Sequence, residues 1–229
     1  MSQAPQSGES GRALLYYPLV GLLIGGMLYG LGELLENQPD HLAAILLLTA
    51  WVGITGALHL DGLADSADAW LGGLGDRQRT LEIMQDPRCG SLGVVVIALL
   101  LLLKFATLQT LLNQGSLALL MIPPVVGRTA LVALLLTTPY VRTEGLGSQL
   151  AREQKTNPSR IVIGLTALLI TIWLGPSGIV HLSVSVICLL LLRHLMMKRL
   201  QGTTGDSAGA LLEIIEATLL VSLALAATP

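Results

Sequence analysis

The sequence predicts an all-α, polytopic integral membrane protein of six to seven transmembrane helices, and three observations carry that prediction. Apolar residues make up 52% of the 229 and charged residues only 12%, with a mean hydropathy of +0.71; that balance belongs to chains that live in lipid. Apolar runs of about 20 residues, the length that crosses a hydrocarbon core, recur along the chain. Lysine and arginine, finally, sit in alternate connections between those runs, as they do when one side of a bilayer retains the basic loops.

In chain order, residues 1–12 (MSQAPQSGESGR) are polar and rich in Gly and Ser, which reads as a disordered tail, and residues 13–229 are expected to form a single multi-pass membrane domain. The tail is not a secretory signal, because the apolar segment after it is too long and no small-residue cleavage site follows a short core. Apolar segments run over 14–35, 42–58, 93–112, 117–137, 161–174, 178–195 and 209–227. Gly175-Pro176 marks a tight turn between the fifth and sixth. With seven crossings, the loops at 36–41, 113–116 and 175–177 carry no Lys or Arg. The N-terminus and the stretches at 59–92, 138–160 and 196–208, with their edges, carry Arg12, Arg77, Arg79, Arg88, Arg142, Arg152, Lys155, Arg160, Arg193, Lys198 and Arg199. The positive-inside rule then puts the N-terminus and the 59–92 stretch on the cytoplasmic face of the cytoplasmic (inner) membrane and the C-terminus outside. The net charge of −2 and the absence of a dense basic cluster exclude a nucleic-acid partner. Cys89 and Cys188 sit in a polar loop and an apolar run, so neither a disulfide nor a zinc site is expected.

The chemistry is concentrated in HLDGLADSADAWLGGLGDRQRTLEIMQDPRCG, residues 59–90. Asp65 and Asp68 fall about 40° and 20° to either side of Asp61 on a helical wheel, so the three share one face. Glu82 and Asp86, four apart, are expected to share another. Stacked like charges repel and call for a cation. A divalent metal on a hard, all-oxygen donor set suits Mg²⁺ or Mn²⁺ rather than zinc; neutralisation by Arg77, Arg79 and Arg88 is the plainer alternative. Next to membrane-length runs, where ionisable groups are costly, the metal reading is preferred. His59 lies about 160° from Asp61 on the same wheel and is not an obvious ligand.

Two cations fall inside predicted spans. Lys104 lies too deep to reach water easily and should find a carboxylate or a bound phosphate. Arg128 follows Pro123, Pro124 and Gly127, and either clamps a phosphate or pairs with an aspartate. The segment GTTGDSAGA, residues 202–210, leads into the last span. Its Gly205 and Asp206 could present backbone N–H groups to an anion, or Asp206 or Ser207 could be an N-cap. Glu213 and Glu216 follow on one face and either snorkel or join the polar site. Gly21, Gly25 and Gly26 could pack helices within or between protomers. Carboxylate-bound Mg²⁺ beside buried cations suits phosphoryl chemistry. A divalent-cation transporter, the competing reading, would spread its acids through several spans.

The run HLDGLADSADAW…RTLEIMQDPRCGSLG resembles the adenosylcobinamide-GDP ribazoletransferase (cobalamin 5′-phosphate synthase) family. The motif residues are His59, Asp61, Gly62, Asp65, Asp68, Glu82, Asp86 and Gly90, joined by YYPLVGLLIG, Lys104 and GDSAGALLE, so the likeness covers nearly the whole chain. It departs from the family in its short polar lead before YYPLVG, where a longer segment is usual. The resemblance implies that a hydroxyl of α-ribazole, or of its 5′-phosphate, attacks the cobinamide-proximal phosphorus of adenosylcobinamide-GDP and releases GMP. The acidic pattern also looks like that of CDP-alcohol phosphotransferases, a family whose Asp-Gly-x-x-Ala-Arg continuation is missing here. By that analogy Asp61, Asp65, Asp68, Glu82 and Asp86 bind Mg²⁺, and Asp86 is the candidate base. Asp68 and Lys104 would act beside it, and Arg128, Gly205 and Asp206 would hold the nucleotide-linked substrate. Self-association, or association with other enzymes of nucleotide-loop assembly, is a further expectation.

Overall fold

The computed structural model describes residues 9–143 and 146–227. Of the polar tail, residues 1–8 lie outside the described residues. Residues 9–12, expected to be disordered, are instead helical: Glu9–Ala13 forms α1, which packs against the short helix α8, Leu146–Glu153. The long helices follow the apolar runs closely. They are α2 (Tyr17–Leu34), α3 (Asp40–Thr55), α6 (Ser91–Asn113), α7 (Ile122–Thr137, entered through a 3-10 turn at Leu117–Met121), α9 (Thr156–Leu174), α10 (Pro176–Leu200) and α11 (Gly205–Ala227). Between α3 and α6 lie α4 (Leu58–Gly72) and α5 (Arg77–Ile83). Among the described residues, six helical stretches are long and apolar enough to cross a membrane, and up to seven if the bent pair α3–α4 is counted as one crossing.

That pair bends by 87°. Gly56 ends α3 in the left-handed region at φ 62°, and Ala57 follows it there at φ 56°. Two successive left-handed residues swing the chain out of the crossing. α4, which carries three aspartates, then lies across the ends of α6 and α11 instead of extending α3 through the bilayer.

α11 is the hub. About 72% of its apolar window is buried, against 61% for the span ending in α7 and 11% for α9, and it packs on α4, α6, α7 and α10. One core cluster, built on Val126, Leu134, Leu211, Leu212 and Ile215, joins α7 to α11; a second, with Leu47, Trp51, Leu108, Leu111 and Leu220, joins α3 and α6 to α11. Leu23, Leu102, Ile172 and Leu191, all more than half exposed, belong to the outward surface that a bilayer covers. Gly21 and Gly25 seat α2 against Pro124 and Met121 of the same chain, whereas nothing lies over Gly26. Pro123 and Pro124 occupy the first turn of α7, where a missing N–H costs nothing, so they start a helix rather than kink one.

The segments assigned to one side by their basic residues do meet at one end. The Nε of Arg77 donates to the Leu200 carbonyl, Arg199 donates to the Trp70 carbonyl, and Val141 and Thr203 join their segments through backbone hydrogen bonds. These contacts dock α5 and the loops before α8 and α11 around α4.

Candidate active site

Three carboxylates converge where α4 crosses the start of α11. Gly62 allows the approach: a Cβ there would stand 2.8 Å from the Asp206 carbonyl oxygen and 2.9 Å from its Cα. Any side chain at 62 would push α4 off α11, and with it Asp61 and Asp65, which flank the glycine on the same helix. Asp206 is ion-paired to Arg142 at 2.6 Å, with both side chains partly buried. Neither Asp206 nor Ser207 is the N-cap of α11. Thr204 takes that place, its Oγ1 accepting from the Ser207 N–H at 3.2 Å while the Ser207 Oγ accepts from the Thr204 N–H at 2.9 Å, a reciprocal cap. Asp206 is thereby left to face α4.

The charges act on one another. Burial first, then the neighbouring carboxylates of Asp61, Asp206 and Asp68, push the Asp65 carboxyl up to about 6, with Arg142 opposing them. One guanidinium is too little to balance three acids. Among the described residues, no three acidic, histidine or cysteine side chains stand as close as metal ligands must. The donor set of Asp61, Asp65 and Asp206 nonetheless fits Mg²⁺ in kind, being oxygen-only and under-compensated in charge.

The other sequence candidates are placed differently. Asp68 shares the α4 face with Asp61 and Asp65, but it is engaged by α6. Its Oδ2 accepts from the Gly90 N–H at 2.7 Å and its Oδ1 from the Gly93 N–H at 2.9 Å. It therefore caps a helix 22 residues further on, satisfying donors that the helix itself cannot. Side chains at 90 or 93 would collide with that carboxylate, which explains the two glycines. Glu82 and Asp86 do not share a helix face. α5 ends at Ile83, and Asp86 precedes Pro87, which disfavours helical backbone in the residue before it. Glu82 is exposed and paired with Arg79 at 3.5 Å. Asp86 is held by Arg88 at 2.7 Å, and hydrogen bonds from Arg88 bring its carboxyl down to about 2. Neither is among the charges that act on Asp65. For this second pair, the plainer alternative of neutralisation by arginine describes the structure.

Lys104 and Arg128 meet carboxylates deeper in the bundle, and these are not aspartates of α4. The Lys104 ammonium lies 2.6 Å from Glu213 and 2.9 Å from Glu216, with the Trp51 ring 4.5 Å from it. Arg128 pairs with the other oxygen of Glu216. Two cations and two anions, each 5% exposed or less, thus balance in the interior and tie α6 and α7 to α11. His59 lies against Gly209, one turn of α11 beyond Asp206, so it borders both groups.

Sequence reasoning missed Arg142 as a site residue, counting it only for topology; its partner is 64 positions away and no local spacing signals the pair. It also missed the cap made by Thr204, for which the T-x-x-S pattern was the available cue.

The chain has close relatives among known proteins. A sequence model of the family described as cobalamin-5-phosphate synthase matches residues 2–224. A protein of Pseudomonas savastanoi pv. phaseolicola named adenosylcobinamide-GDP ribazoletransferase is 52% identical over 221 residues, covering 96% of this chain and 91% of its own. One of the same name from Pseudomonas putida (strain W619) is 53% identical over 227 residues, covering 99% and 93%. No solved structure matches the chain.

Proposed function

The chain belongs to the cobalamin-5-phosphate synthase family, and on that premise we infer that it transfers the adenosylcobinamide-phosphate group of adenosylcobinamide-GDP to a hydroxyl of α-ribazole or its 5′-phosphate. In that reaction the acceptor hydroxyl forms a bond to the cobinamide-proximal phosphorus, the bond to the GMP oxygen breaks, and the hydroxyl proton leaves to a base. The observation that supports this site most directly is the meeting of Asp61 and Asp65 with Asp206 beside Arg142 at the head of α11. Mg²⁺ held there would supply charge for the diphosphate and its leaving oxygen.

The chain's own residues do the rest. Arg142 presents a guanidinium to phosphate oxygens and, through its ion pair, fixes the rotamer of Asp206. Asp65 stands among the carboxylates at the head of α11, whereas Asp86 is held by Arg88, so the base is assigned to Asp65 by position, in place of Asp86. Asp68 positions α6 against α4 and keeps their shared face closed. Lys104 and Arg128 hold α11 in place from below. The basic loops around the site favour a cytoplasmic face, where both water-soluble substrates would reach it.

The test is GMP release by purified protein from adenosylcobinamide-GDP and α-ribazole 5′-phosphate, with and without Mg²⁺. Mg²⁺-dependent GMP matched by a cobalamin product is expected. A folded protein that gives none would overturn the assignment.

A further inference from the structure

Beside the buried ion pairs, a cavity of about 350 Å³ opens between α2, α3, α4 and α7. Its walls include Val20, Ile54 and Leu131, and its polar end is made by Tyr17, His59 and Arg128. Two of these polar groups have unused hydrogen-bonding capacity. Arg128 is 4% exposed, yet both of its hydrogen bonds, to Glu216 and more weakly to the Pro124 carbonyl, leave from Nη1. Among the described residues nothing accepts from its Nε or Nη2. The His59 Nδ1 is buried without any partner. Buried polar groups are almost always satisfied, and a half-used guanidinium beside an unpaired imidazole nitrogen has the chemistry of an oxyanion site.

The mouth indicates where the oxyanion comes from. Val20 and Ile54 line the cavity and are also 45% and 39% exposed, so the opening lies on the surface that faces lipid. Tyr17 begins α2 and Thr55 ends α3, which sets the polar end towards the interfacial level of the leaflet on the α4 side. A charged head reaching inward with an apolar chain trailing between Val20 and Ile54 matches this layout, and the volume suits a headgroup and its first methylenes.

We propose that this cavity is a binding site for an acidic phospholipid of the surrounding leaflet, its phosphate on Arg128, His59 and Tyr17 and its chain leaving between Val20 and Ile54. Lipid occupancy would complete the hydrogen bonding of Arg128 and brace α2 and α3 against α7, without entering the carboxylate site.

Native mass spectrometry of the full chain tests this, using dioleoylphosphatidylglycerol against dioleoylphosphatidylcholine at equal concentration. Both lipids carry the phosphate, but the choline of the zwitterionic one would bring a cation up to Arg128, so retention of the acidic lipid about tenfold above it is expected. Val20→Trp, which fills the mouth from a lipid-facing position, and Arg128→Lys, which keeps a charge for Glu216 but loses the planar fork, should each bring retention down to the level of the zwitterionic lipid. Equal retention of both lipids by the wild type, or undiminished selectivity in both variants, would overturn the proposal. So would displacement of the bound lipid by millimolar inorganic phosphate, because the site would then take a free oxyanion from the aqueous phase.

Discussion

Replacing Lys104 by Met probes the buried charge balance most sharply. The side chain is 3% exposed and its ammonium is shared by Glu213 at 2.6 Å and Glu216 at 2.9 Å. Removing it leaves two buried carboxylates with Arg128 alone, and Arg128 reaches only Glu216. Stranding a buried charge in this way costs about 3–5 kcal/mol, a large part of a stability of about 5–15 kcal/mol. Methionine itself should be tolerated against the Trp51 ring, because a thioether packs well on an aromatic. The loss therefore comes from Glu213, and a second change, Glu213→Leu, should restore most of it. Lys104→Met/Glu213→Leu leaves one matched pair, Arg128 with Glu216, and replacing a buried pair by apolar groups is often neutral. Denaturant titration in detergent of the wild type, Lys104→Met, Glu213→Leu and the double variant gives the coupling energy, expected at about 2–3 kcal/mol. A single variant as stable as the wild type, or a double variant no better than the single, would refute the reasoning. Turnover by the same proteins separates two roles: activity that returns with stability makes Lys104 a strut, and activity that stays lost in a stable double variant makes it a substrate ligand.

Other outcomes follow from the site. The carboxyl of Asp65, raised to about 6 before any cation binds, must be ionised to hold one, so the Mg²⁺ concentration needed for half-maximal turnover should rise as pH drops through about 6, and Asp65→Asn should be inactive across the range. A carboxyl raised in the folded state binds its proton more tightly there than in the unfolded chain. Stability without metal should therefore decline as pH rises from the ordinary value of 3.8 towards 6, and added Mg²⁺ should reverse the decline. Asp68→Ala should instead cost about 1–2 kcal/mol of stability, the loss of a helix cap, while a Mg²⁺ titration keeps its midpoint; a shifted midpoint would return Asp68 to the metal site. A reporter fused to the C-terminus should read as extracytoplasmic, and a cytoplasmic signal would invert the orientation.

Much of this architecture was legible in the chain because lipid imposes a simple rule: backbone groups must be satisfied within each crossing, and a helix of the needed length shows as an apolar run. All seven runs became helices, with ends extended by the polar residues that reach the surface, as at Thr156 and Lys198. The common face of Asp61, Asp65 and Asp68 was legible for the same reason of periodicity. Periodicity failed at Asp86 because it assumed that the helix continues, and Pro87 ends it. It could not have found the long-range partners. Asp68 with Gly90 and Gly93, Arg142 with Asp206, and Lys104 with Glu213 are separated by 22 to 109 positions, and which carboxylate serves which cation depends on how α11 threads the bundle.

α11 also accounts for why one helix must be placed so carefully. Asp206, Glu213 and Glu216 stand on it at intervals of seven and three residues, and a helix rises about 1.5 Å per residue. The site carboxylate and the buried acids are therefore about 10–15 Å apart on a single rigid rod. Asp206 can face Asp61 and Asp65 only if α11 neither rotates nor slides. Apolar contacts alone resist sliding weakly in lipid, where leucine packs as well against an acyl chain as against leucine. An ion pair resists it strongly, because a displacement of one residue would separate Glu216 from both Lys104 and Arg128 at low dielectric. On this reasoning the buried quartet fixes the register of the aspartate end from below, and Gly62 permits the contact at the top. Gly62→Ala isolates the upper half of that device. It leaves every charge in place, so an enzyme that keeps its stability to within the cost of overpacking, about 1–3 kcal/mol, but loses Mg²⁺-dependent turnover would locate the requirement in the approach of α4 to Asp206. Full turnover in Gly62→Ala would show that the approach of α4 to Asp206 is not required.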